Sequence, residues 1–136
     1  MKREIEKTLV EAAVKALDRS YSPYSNFKVG AALLSKSGKV YTGANIESAS
    51  FTPTVCAERV AFFSAIHSGE TEFSKIAIVG GRNGVIDAFC PPCGVCRQVM
   101  TEFCDSRFEI ILFDGTDYKV TSLGYLMPDS FTKSNI

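Results

Sequence analysis

The sequence predicts an α/β fold: a three-layer αβα sandwich with helices on both faces of a mixed five-stranded sheet. Three observations carry this. Segments with helical spacing alternate with short apolar runs. The first two runs are joined by Ser37-Gly38, which turns the chain into a hairpin. Ile76 to Val79 is apolar without alternation, as in a strand covered on both faces. At 136 residues the chain fits a single domain, residues 1–136, and 46% hydrophobic with 22% charged residues marks it as globular.

Residues 2 to about 18 place Ile5, Leu9, Ala12, Ala13, Ala16 and Leu17 on one face, an amphipathic helix. The loop Ser20 to Asn26 follows, then the strand Val29 to Leu34 and its hairpin partner Lys39 to Thr42. From Cys56 to His67 helical spacing runs through Val60, Phe63 and Ile66, and Gly69 caps the end. The strand Ile76 to Val79 is terminated by Gly80-Gly81. Pro91-Pro92 cannot lie inside a helix, yet Val95, Val99 and Phe103 keep its period, so a helix begins near Cys93. Glu109 to Phe113 and Tyr118 to Thr121 are two further strands parted by Asp114-Gly115, and a short helical tail covers Leu123 to Met127. Strand order in the sheet is not readable from these patterns.

Fifteen basic residues balance fifteen acidic ones, which disfavours a polynucleotide partner. Met1 to Asp18 is charged throughout, unlike a secretory signal, and no apolar run approaches the roughly 20 residues of a membrane span. A cytoplasmic address is expected. There, five cysteines are many, and an odd number cannot all pair within one molecule, so metal ligation is the leading explanation.

A catalytic zinc site takes three protein ligands and keeps a fourth position for water. Cys93-Gly94-Val95-Cys96 supplies two thiols at the first turn of a helix, and Cys56 can supply the third. The positive ends of both helices favour thiolates, and Arg59, one turn from Cys56, offsets their charge. Glu58 can point forward with Cys56 only at the helix tip. There an unligated carboxylate does general acid-base work; its plainer reading is a first-turn acid favoured by the helix dipole.

Cys56-Ala57-Glu58 with Pro92-Cys93-Gly94-Val95-Cys96 resembles the zinc nucleoside and nucleobase deaminase signature. Cysteine at position 56, where the general form has histidine, is similar to the three-cysteine subgroup of small cytidine deaminases. Pro23-Tyr24-Ser25-Asn26-Phe27, Gly43-Ala44-Asn45-Ile46-Glu47 and Cys96-Arg97-Gln98-Val99 extend the likeness over nearly the whole chain. It implies a cytidine deaminase-like fold, one zinc ion per subunit and hydrolysis of cytidine and deoxycytidine to uridine and deoxyuridine with release of ammonia, a step of pyrimidine salvage. It also implies that Phe27 lies against the pyrimidine, Asn45 and Glu47 hold the ribose hydroxyls, and the Ala57 backbone bonds the base. Leu126-Met127-Pro128-Asp129-Ser130-Phe131 is similar to a tail whose aromatic residue reaches a neighbouring subunit's site, which implies a homotetramer.

Taken alone, Phe27 reads equally as core packing, and Asn45 and Glu47 as polar loop residues. Blasticidin S deaminases share the cysteine signature. Cys90 permits a rival outside enzymology, a closed four-cysteine structural zinc module using Cys56 as fourth ligand. An iron-sulfur run would want cysteine where Met100 stands. Cys104 reads as a small buried hydrophobe, and His67 as a cation suited to a helix C-terminus, without a catalytic role.

Overall fold

A computed structural model describes residues 2–136. The first helix, α1, spans Lys2–Ala16 and tightens into a 3-10 turn at Leu17–Arg19. Its buried stripe is Leu9, Val10, Ala13, Ala16 and Leu17, and Ile5 is 44% exposed, against the sequence expectation. At about 100° per residue, Val10 lies about 60° round the helix from Ala13 and Ile5 about 80°, which puts Ile5 at the margin.

Strand β1 covers Phe27–Ser35 and turns at Gly38, φ +93°, into β2, Val40–Ala44. Helix α2, Ala57–His67, leads to β3, Phe73–Arg82; helix α3, Gly94–Phe103, leads to β4, Glu109–Phe113. The chain closes with β5, Tyr118–Ser122, a short helix α4, Leu123–Leu126, and a 3-10 turn at Lys133–Asn135. The sheet order is β2-β1-β3-β4-β5, with β3 and β4 parallel and the other neighbours antiparallel. The mixed, five-stranded αβα arrangement is thus the predicted one.

Strand alternation sorts the core into two layers. Ala32, Ala77, Val79 and Ile111 meet Leu9, Val10, Ala13 and Leu17 of α1 on one face. Ala31, Leu33, Ile76, Ile78, Ile110 and Leu112 meet α2 and α3 on the other, around Phe62 and Met100.

Two expectations are corrected here. Gly80-Gly81 does not end β3: Val29 still pairs with Gly80, Lys28 with Gly81 and Phe27 with Arg82. These glycines serve close approach, since a Cβ at Gly80 would lie 2.8 Å from Cys90 Sγ and 3.2 Å from the Phe27 ring. On α2 the buried face is Ala57, Ala61, Phe62 and Ala65, while Phe63 is exposed. Alanines win because the helix lies almost against β2: a Cβ at Gly43 would sit 2.4 Å from the Ala57 carbonyl oxygen and 2.6 Å from the Ala61 nitrogen. Gly43→Ala is therefore expected to cost about 1–3 kcal/mol, read as a lowered Tm in thermal melts. An unchanged Tm would mean that α2 lifts freely.

Candidate active site

Cys56 and Cys93 are the N-cap residues of α2 and α3, both with extended backbone, and neither spends its side chain on capping. The two thiols are 3.6 Å apart. Cys96, one turn into α3, completes a group whose three sulfurs all lie within 4.8 Å of one another. Two helix N-termini thus aim their backbone N–H groups and dipoles at one cluster of sulfur, which favours thiolate.

Arg59 donates from Nη2 to Cys56 Sγ at 3.6 Å. A hydrogen bond from Cys96, helped by Arg59 and Cys93 against the opposing effect of burial, pulls the Cys56 thiol down to about 5. Cys96 is raised, because it shares that bond as the proton-bearing partner and is itself buried. Glu58, in the first turn of α2, is 3% exposed, and its Oε1 has no hydrogen-bond partner among the described residues. Burial pushes its carboxyl up to about 7, with the Cys56 charge adding and Arg59 opposing.

These residues fit zinc. Three soft donors suit a tetrahedral dication, Arg59 offsets their surplus charge, and Glu58, two residues beyond Cys56, is a buried acid whose Oε1 has no partner among the described residues. Cys90 is not in the donor group, which removes the fourth sulfur that a closed structural site requires. Its side chain instead packs against Gly80 where β3 pairs with β1, and burial drives its thiol up to about 12, with Glu58 and Cys56 adding. Cys104, the C-cap of α3, is only half-buried at the edge of the core, where burial raises its thiol to about 12. His67 is exposed at the end of α2.

Phe27 opens β1, and its ring is partly exposed beside Gly80 and Cys90. Asn45 is buried after β2. Its Oδ1 accepts from the Val29 N–H (2.9 Å) and the Ser20 hydroxyl, and its Nδ2 donates to the Phe27 carbonyl (2.8 Å), so it fixes the start of β1. Glu47 accepts from the Tyr24 N–H (3.0 Å), the Ser25 N–H (3.2 Å) and the Ser25 hydroxyl. These donors, the hydroxyl foremost, hold its carboxyl below the ordinary value. A cavity of about 320 Å³ opens there, lined by Tyr24, Ser25, Glu47, Ser48, Phe51 and Thr54. Ala57 is fully buried beside Cys56, and Phe131 is 60% exposed on the C-terminal segment. A larger cleft of about 530 Å³, lined by Lys36, Lys75, Cys104 and Arg107 among others, contains none of these residues.

Sequence reasoning did not single out Ser20 and Ser25 as partners of Asn45 and Glu47. They stand in a polar loop where nothing in spacing sets one serine apart from another. Arg97 and Gln98, seen only within a family-like string, donate to the backbone carbonyls of Pro92, Leu126 and Phe131.

Three thiols converging at two helix tips on an αβα scaffold, with an unligated buried acid beside one of them, define the zinc-dependent deaminase class. The family model "Cytidine and deoxycytidylate deaminase zinc-binding region" matches residues 3–112. The chain is 40% identical over 134 residues to the cytidine deaminase of Sporosarcina psychrophila, covering 98% of this chain and 95% of that one. The crystal structure of cytidine deaminase from Burkholderia pseudomallei superposes with a TM-score of 0.84 at 47% identity, over 92% of this chain and 98% of that one. The blasticidin-S deaminase of Bacillus cereus is more distant, 30% identical over 132 residues, 93% of this chain and 91% of that one. The chain belongs to the cytidine deaminase family.

Proposed function

We propose that this protein hydrolyses cytidine and deoxycytidine to uridine and deoxyuridine with release of ammonia, and that residues 1–136 act as one domain. The observation that carries the reading is Glu58: a buried carboxyl with an unpartnered oxygen and a pKa near neutrality, at the same helix tip as the three-thiol group. Cys56, Cys93 and Cys96 would hold one zinc per subunit. Zinc, when bound, supplies Lewis acidity that makes water ionise near neutral pH.

Glu58 takes a proton from the attacking water and delivers it to N3 of the pyrimidine as C4 becomes tetrahedral. The carboxylate so regenerated takes the second proton from the new C4 hydroxyl and passes it to the amino group, the C4–N bond breaks to release ammonia and the C4 carbonyl forms, so one carboxyl serves as base and acid in turn. A pKa near 7 suits both roles. Arg59 limits the negative charge of the thiolates. Phe27 packs against the base, the Ala57 backbone bonds it, and Asn45 and Glu47 hold the ribose hydroxyls. Glu47, kept ionised by Ser25 and the Tyr24 N–H, repels phosphate and so selects nucleosides over nucleotides and nucleic acid.

Phe131 reaches the site of a neighbouring subunit in a homotetramer. Exposed Phe51 and Tyr125, 73% and 77% accessible in the single chain, support burial by other copies. Five unpaired cysteines agree with a reducing, cytoplasmic setting, and no helix among the described residues is long and apolar enough to cross a membrane.

Incubating the purified protein with cytidine, deoxycytidine and blasticidin S while following ammonia tests the reading. Release from both nucleosides is expected. Release from blasticidin S alone would favour the antibiotic deaminase instead.

A further inference from the structure

Arg97 follows the proposed zinc ligand Cys96 on α3, and its planar guanidinium serves two distant backbone groups. Nε donates to the Pro92 carbonyl at 2.7 Å, and Nη1 donates to the Leu126 carbonyl at 2.8 Å. Pro92 immediately precedes the N-cap Cys93, and Leu126 is the last residue of α4, where helix carbonyls lack internal partners. Gln98, the next residue, donates from Nε2 to the Phe131 carbonyl at 2.8 Å and also reaches the Thr101 hydroxyl at 3.2 Å. Leu126 and Met127 also pack against the core, and the Met127 N–H donates to the Leu123 carbonyl, while beyond them the Gln98 bond holds Phe131.

We propose that Arg97 and Gln98 are positioning residues that hold the Phe131 segment in register with the zinc-binding loop, setting nucleoside affinity without touching the nucleoside. The inference rests on the substrate contact assigned to Phe131 under the proposed function. Two carbonyls reached from different nitrogens suit the rigid fork of arginine, whereas lysine at 97 has a single nitrogen from which to reach both. The tail between the two anchors contains Pro128 and Asp129, the latter in the left-handed region at φ +51°, where the chain turns. Through α3, the loop that presents Cys93 and Cys96 and the segment that presents Phe131 are one hydrogen-bonded unit. In an oligomer in which Phe131 serves a neighbour, the metal loop of one subunit thereby helps to build the nucleoside site of the next.

The test is a double-mutant cycle on the zinc-loaded protein with cytidine, combined with amide hydrogen exchange. One hydrogen bond is worth about a three- to tenfold change, so Gln98→Ala is expected to raise KM by that amount with kcat nearly unchanged. Adding Gln98→Ala to Phe131→Ala should raise KM no further, because the first acts through the second. Arg97→Lys and Gln98→Ala should both speed exchange across residues 127–135 at unchanged zinc content. Unaltered exchange in both variants would overturn the clamp. Additive effects on KM would overturn its route through Phe131. A wild-type protein that binds zinc but never releases ammonia from cytidine would overturn the deaminase reading, and the inference with it, even if exchange responds as expected.

Discussion

Glu58→Gln is expected to lower kcat for cytidine about 10³-fold, within the span usual for losing a general acid-base group, while zinc stays at one per chain. The amide keeps the size and position of the carboxyl but can neither accept the proton from water nor return it. Steady-state kinetics with metal analysis reads both halves, and near-wild-type turnover would remove the proton shuttle from the mechanism. The same substitution should act on stability with a sign set by burial. In the metal-free protein the Glu58 carboxyl rises from an ordinary 4.5 to about 7, so the folded state holds that proton more tightly than the unfolded chain. The stability this confers is complete below pH 4.5 and is lost as pH climbs through 7, a difference of about 3 kcal/mol. Metal-free Glu58→Gln should therefore melt higher than wild type at pH 8 and nearly the same at pH 4. The acid opposes folding when it is ionised.

Cys96→Ala is expected to abolish turnover and leave well under one zinc per chain, because two thiols at two helix caps cannot complete the site. Losing a ligand present at about 1,000 times its Kd forfeits about 4 kcal/mol of stabilisation. At ~4 °C per kcal/mol for a domain of this size, Tm should fall by about 15 °C relative to the zinc-loaded wild type. Cys96 is 1% exposed within the core against Met100 and Ile110, so a small cavity adds to the loss. Cys90→Ala is the matched control. Its thiol lies outside the donor group, and the variant should bind zinc stoichiometrically. A Cys90→Ala protein that lost its zinc would restore the four-cysteine module that the geometry argues against.

The fold was legible where periodicity and punctuation coincide. Cys56 and Cys93 could be set at helix starts because apolar helical spacing begins at each, and Pro91-Pro92 bars helix just before Cys93. The order of elements followed for the same reason. Misreadings arose where small residues carry the contact. Spacing pointed to Val60, Phe63 and Ile66 on α2, but the helix buries Ala57, Ala61 and Ala65, since contact with Gly43 leaves no room for larger groups. Gly80-Gly81 looked like a strand end because glycine usually interrupts, whereas here it makes room for Cys90 and Phe27. Strand order was hidden because crossovers depend on long-range packing that no local window contains. Of the site, the donor set and its acid were legible from residue type and spacing. The positions proposed for the ribose came only from family likeness, and the partners of Asn45 and Glu47, Ser20 and Ser25, are set by geometry that appears only in three dimensions.

The parallel pairing of β3 with β4 has a consequence for when the metal centre can exist. Cys56 precedes α2 and the crossover into β3, while Cys93 and Cys96 lie on the crossover that joins β3 to β4. A chain emerging during synthesis can close its first hairpin without having made Cys93 at all, and its lone thiol offers no chelate. The full three-thiol set therefore comes together only when both crossovers have docked upon the sheet, which ties the complete centre to the finished sandwich.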